Sequence, residues 1–405
     1  MKTRSTTMRE MSLNVIAVDG ITAKVKVKAA AAAKMLAMYV LCPLSMCAAV
    51  CSCSGQSDEN VTVLTEKQVL DGALEVVSDT VCVLPDTVYV RRAWMMDPDH
   101  VMCEMEGRSG YSLRVYDVRT LEPTADYLHY GNGPQEVLMP TVAVTDGNVY
   151  VRDGNKQKLY VIPVAAAGSG AEVGDYRISG LLTKVVTFGD SLLAVNPYYL
   201  ESTDLGISQG EPKLIFPDAN TDYGLSQDKF STINVYQGSL LTNNVKDRIA
   251  YVESSCALVE LYDGGLNLRR TVTGPGEDLP EYFYQEGQQF LFFKLWKAYA
   301  YVSSCSDDNY IYLLYDGTMR GDGHPVMKGE IKNGMPFMVS AGGDTTLKDM
   351  TLIVMDWDGN FKGSWRIHGV NVMTQISSTG TEGEVYACVT DRGDLPLTVL
   401  RYKLF

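Results

Sequence analysis

Downstream of residue 84 the hydrophobic positions hold no sustained helical period. They fall in short runs rich in Val, Tyr, Leu and Thr, separated by Asp-Gly, Gly-Asn and Gly-Asp. Such runs, punctuated by turn residues, predict β-strands and hairpins. The runs recur. A strand is expected after a turn at HVMCEME from residue 100, VYVRDG from 149, LLAVNPYY from 192, RIAYVESS from 248, YIYLLYDG from 310 and VYACVTD from 385. Most are followed by a second run: SLRVYDVRT from 112, KLYVIPV from 158, ALVELYDGG from 257, TLIVMDWDGN from 351 and LTVLRYKL from 397. A third often comes next, as ADYLHYG, DYRISG, NLRRTVTG or FKGSWRI.

With an inner strand before each quoted one, every unit holds four antiparallel strands. That is a propeller blade, and six units predict an all-β, six-bladed β-propeller. Ring closure has a physical cause: a lone four-stranded sheet exposes two edges and two apolar faces, and stacking in a ring covers the faces. The last unit stops after its third strand, at Phe405. The apolar, strand-like segment from Gly72 to Leu84 belongs to no earlier unit and is expected to supply the outer strand of the last blade. The propeller then spans residues 72–405, with a long Gly- and Lys-containing loop at about 318–349, the best candidate for a grafted function.

The stretch KMLAMYVLCPLSMCAAVCSC, residues 34–53, has a different pattern. Lysines at 24, 26, 28 and 34 lead into an apolar run, then small residues and Cys53, then the polar SGQSDEN. That order is a bacterial export signal. Val50-Cys51-Ser52-Cys53 resembles a lipobox, which makes Cys53 the expected lipidation site and residues 1–52 a removed leader with an over-extended start. About 16 apolar residues interrupted by Pro43 are short of the ~20 needed for a transmembrane helix. Residues 53–71 are read as a tether. Its acidic Ser57-Asp58-Glu59 either is a plain solvated spacer or resembles the export signal that sends lipoproteins of Bacteroides-type bacteria to the outer face of the outer membrane. The anchor assigns the protein to the outer membrane, with surface and periplasmic faces both open.

The formal net charge is −14, and loss of the Lys-rich leader makes the rest more acidic still. This excludes nucleic acid as a partner, which needs clustered Lys and Arg. Besides Cys53 the exported part holds Cys82, Cys103, Cys256, Cys305 and Cys388. An odd count at irregular spacing argues for buried thiols over a disulfide scaffold, with a Cys256–Cys305 bridge as the alternative.

Two short motifs sharpen the picture. Gly131-Asn132-Gly133-Pro134-Gln135-Glu136 follows the outer strand of the first unit, and Gly274-Pro275-Gly276-Glu277 that of the fourth. The GxGPxE element, together with VMDWDGNFKGSWRI near the end, resembles the TolB-like six-bladed propeller lipoproteins of Bacteroides-type bacteria over roughly residues 53–405. The second copy lacks the first glycine. The resemblance implies a propeller lipoprotein and no assigned reaction. Locally, Gly-Pro turns the chain from the outer edge of one blade to the inner strand of the next. Glu136 and Glu277 either accept backbone amides there or form an acidic ligand site at the channel mouth.

Catalytic chemistry is not legible. The four histidines of the exported part have no metal-ligand spacing. No metal and no cofactor is expected. Asp356-Trp357-Asp358-Gly359-Asn360 is read as a hairpin turn, because an EF-hand needs its glycine at the sixth place; Asp307-Asp308-Asn309 and Asp153-Gly154-Asn155 are read as turns too. Trp94, Tyr198, Tyr199 and Trp296 are the aromatic candidates for stacking on sugars, against the plainer reading that they fill blade cores. The expected function is a non-catalytic binding or scaffold propeller, with a glycan or an envelope protein at the channel mouth or on the 318–349 loop. The alternatives are a propeller hydrolase or lyase on glycans or peptides, and an envelope assembly partner.

Overall fold

The computed structural model describes residues 60–85, 90–105, 110–168, 170–178, 183–188, 191–195, 213–215, 238–243, 245, 247–254, 257–276, 281–284, 291–297, 300–317, 319–320, 327–332, 335–340, 346–390 and 396–405. Among these the chain is a β-propeller of five complete blades, where the sequence predicted six. Blade 1 comprises Val90–Asp97, His100–Met105, Tyr111–Asp117 and Pro123–Tyr130, with Glu136–Val137 added on its outer edge. Blade 2 comprises Pro140–Thr145, Asn148–Asp153, Lys158–Pro163 and Gly174–Arg177. Blade 3 is built from Gly238–Thr242, Arg248–Glu253, Leu258–Asp263 and Leu268–Thr273. Blade 4 holds Tyr301–Ser306, Tyr310–Tyr315, Lys348–Asp356 and Phe361–Val370, and blade 5 holds Gln375–Ser377, Glu384–Val389, Thr398–Lys403 and Ser78–Val83.

The correction concerns the unit around LLAVNPYY. Thr183–Phe188 and Ser191–Val195 form an antiparallel hairpin, but its next partner, Lys213–Ile215, runs parallel. Among the described residues the result is a three-stranded sheet between blades 2 and 3, where a four-stranded meander was expected.

The second strand of each blade is flanked by two others and covered on both faces by neighbouring blades. It is accordingly apolar on both faces, as in Tyr310–Tyr315, where every residue after the first is buried. Fourth strands are more exposed, as in Pro123–Tyr130, where Tyr127 and Leu128 alone are buried. Five apolar clusters close the ring in order: Trp94, Met102 and Leu113 with Val149 and Tyr160 between blades 1 and 2; Tyr150 and Leu159 with Val186, Leu193 and Tyr251 through the short sheet to blade 3; Val259 and Leu261 with Ile311, Ile353 and Trp357 between blades 3 and 4; Tyr312, Leu352 and Trp365 with Val385 and Tyr402 between blades 4 and 5; and Leu84, Met95 and Cys103 with Tyr386 and Val399 from blade 5 back to blade 1. Hydroxyls stitch the innermost strands together. The Met95 amide donates to Ser377 Oγ at 3.0 Å, the Ile376 amide to Ser303 Oγ at 3.0 Å, and the Thr242 amide to Thr145 Oγ1 at 3.3 Å.

The N-terminal segment runs along the outer edges of three successive blades. Val61–Val63 pairs parallel with Leu268–Thr273 of blade 3, Leu74–Glu75 with Phe361–Val370 of blade 4, and Ser78–Val83 antiparallel with Thr398–Lys403 of blade 5. The outer strand of the last blade therefore comes from Ser78–Val83, inside the segment expected to supply it. The tether boundary at residue 71 moves: Leu64 and Val69 are fully buried against blades 3 and 4, so residues 60–71 already belong to the body. Gly274 makes this approach possible, because its φ is +99° and a Cβ there would strike the Leu64 carbonyl.

The 318–349 segment is not a plain loop. It contains the hairpin Met327–Lys332 with Met335–Ser340, and Met319–Arg320 pairs with Leu291–Lys297. In a four-stranded meander, the turns joining strands one to two and three to four lie on one face of the ring, here called the turn face. The connections joining strands two to three, and one blade to the next, lie on the other, the loop face. Both this insertion and the 281–297 hairpin thus rise from the loop face. The turn face carries short aspartate turns: Asp117 accepts the amides of Arg119 and Thr120, Asp263 those of Gly265 and Asn267, and Asp356 those of Asp358 and Asn360. Asp307 accepts the amides of Asn309 and Tyr310 in the same way. No helix among the described residues is long and apolar enough to cross a membrane.

Candidate functional site

The inner strands of blades 1 to 5 and of the short sheet converge on one central cavity of about 430 Å³. Its wall includes Val142, Val144 and Leu240, with the hydroxyls of Ser239, Ser254, Ser303 and Ser304 and the amide of Gln375. Three cationic side chains also line it: Arg92 of blade 1, Arg152 of blade 2 and Lys184 of the short sheet. Arg92 and Lys184 sit near the beginning of first strands and Arg152 near the end of a second strand. All three are therefore at the loop-face end of the cavity.

Local structure shapes two of the cations, Arg92 and Lys184. The Arg92 Nε donates to Glu104 Oε2 at 2.6 Å, and its guanidinium lies 5.3 Å above the centroid of the Trp94 ring. Glu104 is completely buried, so its charge is tolerated only because Arg92 engages it, with Arg91 Nη1 at 3.7 Å from the other oxygen. Lys184 has φ +49°, beside a register shift in the pairing of Thr183–Phe188 with Ser191–Val195. A bulge of this kind re-aims a side chain, and a non-glycine residue at positive φ marks backbone strain. Burial inside the ring, followed by the Arg92 guanidinium, holds the Lys184 amine below the ordinary lysine range; Glu253 opposes the shift and Arg152 adds to it. Lys184 is half-buried and lines the cavity. Tyr251, on the same strand as Glu253, is pushed well up by burial and then by that carboxylate. The Tyr150 hydroxyl is within hydrogen-bond distance of Asp146 at 2.9 Å and of Thr187 Oγ1 at 2.7 Å. Three cations thus line the cavity, with the buried carboxylate Glu104 paired to Arg92 and Glu253 acting on Lys184 through its charge.

Of the residues singled out from sequence, Trp94 reaches this cavity, yet it is 5% exposed and its face is covered by Arg92, so it offers no open stacking platform. Glu136 lies elsewhere, in the connection from blade 1 to blade 2. Its carboxylate accepts the Gly133 amide, and its carbonyl accepts Lys156 Nζ at 2.8 Å. Trp296 lies on Leu291–Lys297 opposite Arg320; nothing of its side chain is described. Tyr198, Tyr199, Glu277 and Cys53 lie outside the described residues. Cys82, Cys103, Cys305 and Cys388 are buried thiols, and Cys256 lies outside the described residues. Arg92, Arg152 and Lys184 were not legible as a site: they are scattered over 93 positions and share no local motif. Among the described residues no three His, Cys, Asp or Glu side chains come together as metal ligands.

No protein-family model matches the chain, and no curated protein does. Solved structures similar to it include a DUF4221 family member from Bacteroides vulgatus, 11% identical, covering 82% of this chain and 99% of that one with a TM-score of 0.46. A Bacteroides fragilis protein described as exported is 9% identical, covering 84% and 98% with a TM-score of 0.41. Virginiamycin B lyase from Staphylococcus aureus is 10% identical, covering 82% and 100% with a TM-score of 0.34. At such identities and scores no activity, ligand or location is carried over from them.

Proposed function

We propose that this chain is a lipid-anchored cell-envelope β-propeller of the TolB-like kind that binds a small ligand in its central cavity, without catalysing a reaction. The carrying observation is the convergence of three cationic side chains, Arg92, Arg152 and Lys184, and of serines from blades 3 and 4 on one central cavity. Ligand sites are concave, largely apolar and furnished with a few convergent polar groups. The anchor is Cys53, and the location is the outer membrane. Six residues lie between Cys53 and Asn60, and the seven Cα–Cα steps span at most ~25 Å.

The test is a thermal-shift screen of monosaccharides, sugar acids, amino acids and dipeptides against the wild-type protein and Ser239→Trp, which fills the cavity. At least one class should raise the melting temperature of the wild type and leave the blocked variant unmoved. Shifts of equal size in both proteins, or none in either, would sink the cavity reading.

One observation favours the enzyme reading, a lyase or hydrolase acting in the same space. Burial holds the Lys184 amine below the ordinary lysine range, a shift in the direction a general base needs. Turnover of a bound ligand, abolished in Lys184→Met with binding retained, would replace the binding reading by this one.

A further inference from the structure

We propose that Lys184 is a covalent capture site, whose amine condenses with a small aldehyde to form a reversible imine inside the central cavity. This goes beyond the non-covalent binding reading and rests on the same cavity.

The geometry around the amine is unusual for a lysine in this fold. Elsewhere a partly buried lysine is held by acceptors: Lys348 Nζ lies 2.5 Å from Asp316, and Lys156 Nζ donates to the Gly133 and Glu136 carbonyls at 2.9 and 2.8 Å. Lys184 lines the cavity with no such partner. Among the described residues no group hydrogen-bonds to its amine, and Glu253 reaches it only through its charge. An ammonium there would carry three N–H donors with nothing in the wall to accept them, which is costly. The neutral amine avoids that cost, and its lone pair is the nucleophile. Removal from water and a neighbouring cation are the two devices that activate a lysine, and burial and the Arg92 guanidinium supply both. The positive φ of Lys184 and the register shift beside it are backbone features that persist where a side chain must be aimed.

The step balances without an oxidant or a reductant. The amine lone pair forms a C–N bond to the aldehyde carbon while the C=O π pair moves to oxygen, giving a carbinolamine. The oxygen then leaves as water with the two protons the amine gave up, and C=N remains; hydrolysis reverses it. The imine nitrogen has no N–H, so the donors that lacked acceptors are gone. The same cavity holds groups suited to the aldehyde oxygen. Ser303 Oγ accepts the Ile376 amide at 3.0 Å, which leaves its own proton to donate, and Ser304 Oγ is buried with no hydrogen-bond partner among the described residues. Val185 and Val186 beside Lys184, and Leu240 on the neighbouring inner strand, keep part of the wall apolar. The volume of about 430 Å³ is in the range of small-molecule sites.

The experiment is reductive trapping of the full-length protein in detergent with glyceraldehyde and cyanoborohydride near neutral pH, read by intact mass and peptide mapping. Cyanoborohydride turns an imine into a stable secondary amine, so each adduct marks the lysine that formed it. An ordinary lysine is only about one part in a thousand free amine near neutrality, and Lys184 should be modified at least about tenfold faster than any other lysine. Lys184→Arg keeps a positive charge at the site and offers no nucleophilic amine, so it should lose the fast adduct, as should Lys184→Met. Ser239→Trp, which fills the cavity, should remove the rate advantage of Lys184. Near-UV circular dichroism identical to the wild type certifies that each variant is folded. Modification spread over surface lysines with Lys184 no faster, or a fast adduct that persists in Lys184→Arg, overturns the proposal. The thermal-shift screen with Ser239→Trp decides the cavity reading separately, because it needs no covalent bond.

Discussion

Replacing Leu84 by alanine tests how the ring is closed. Leu84 is fully buried in the seam between blades 5 and 1, among Met95, Tyr386, Leu397 and Val399, directly after the N-terminal strand Ser78–Val83 that completes blade 5. Its amide donates to the Leu397 carbonyl at 2.9 Å, and alanine keeps that bond. The substitution therefore removes side-chain packing alone, at a cost of about 2–5 kcal/mol for a buried leucine. Unfolding entropy near 2.1 cal/mol/K per residue over roughly 350 residues is ~0.7 kcal/mol/K, so a loss of about 3 kcal/mol lowers the melting temperature by ~4 °C. Val77, 88% exposed in the same segment, is the control, and Val77→Ala should change stability by less than about 0.5 kcal/mol. Deleting residues 57–84 is the stronger form. It also removes Leu64, Val69 and Cys82, all buried, and five registered pairs of the closing strand. At about 1.5–3 kcal/mol for each buried side chain and ~1 kcal/mol for each ladder bond, the loss approaches the whole ~5–15 kcal/mol of a folded domain. No cooperative transition should survive. Scanning calorimetry and near-UV circular dichroism read both effects. A Leu84→Ala protein within about 0.5 kcal/mol of wild type, or a truncated one with an unchanged melting curve, refutes closure by this strand.

Gly359→Ala should destabilise the seam between blades 3 and 4 by roughly 1–3 kcal/mol, since φ is +79° and a Cβ would lie 2.7 Å from Arg270 Cδ and 2.9 Å from Leu261 Cδ1; denaturant unfolding with an unchanged midpoint would contradict it. Asp307→Ala removes the acceptor for the Asn309 and Tyr310 amides and for the Tyr312 hydroxyl at 2.6 Å, and should cost about 3 kcal/mol by urea titration. His368 lies 2.8 Å from both Asp349 and Glu75, and its hydrogen bonds to Asp349 and then Glu75 raise its pKa above the ordinary value. A raised folded pKa gives stability that is complete below the unfolded value of about 6.5 and is lost as pH rises through the folded one. The stability gap between wild type and Glu75→Gln should narrow from pH 6 to pH 9 and shrink in salt; a gap constant across that range would rule the histidine out. The partners are about half exposed, so the effect is small. Burial pushes the Cys82 thiol up to about 11 and those of Cys103, Cys305 and Cys388 up as well. Iodoacetamide at pH 8 followed by peptide mass mapping should leave all four unmodified in the native protein and alkylate them in urea.

What the sequence reveals follows from where each strand sits in its blade. Second strands are enclosed on both faces, so HVMCEM, NVYVRD, RIAYVE, YIYLLY and EVYACV are dense apolar runs and stand out at first reading. Turn-face aspartates mark their own turns, because a carboxylate at a strand end collects the amides two to four residues on. The run at 192 looks the same as the others, and the six-blade count rested on it. It is also the one run with no second run behind it, and the structure gives it a parallel strand, Lys213–Ile215, in place of an antiparallel meander. One apolar run thus establishes a hairpin and not a blade; the outer strands, half-polar and short, carry the information that separates the two. The cavity was less legible for a different reason. A propeller builds its centre from one or two residues per blade, so Arg92, Arg152 and Lys184 are neighbours only because the ring closes. Within their own runs they resemble ordinary solvent-facing charges, as Arg152 does in VYVRDG. Lys184 is aimed inward beside a bulge at positive φ, a backbone event that the letters Thr-Lys-Val-Val do not encode. Trp94 was singled out for its ring, and the ring serves instead to hold the guanidinium of Arg92 over the cavity. The polar centre of this fold is therefore a property of closure: whatever opens the ring at Ser78–Val83 should abolish ligand binding together with stability.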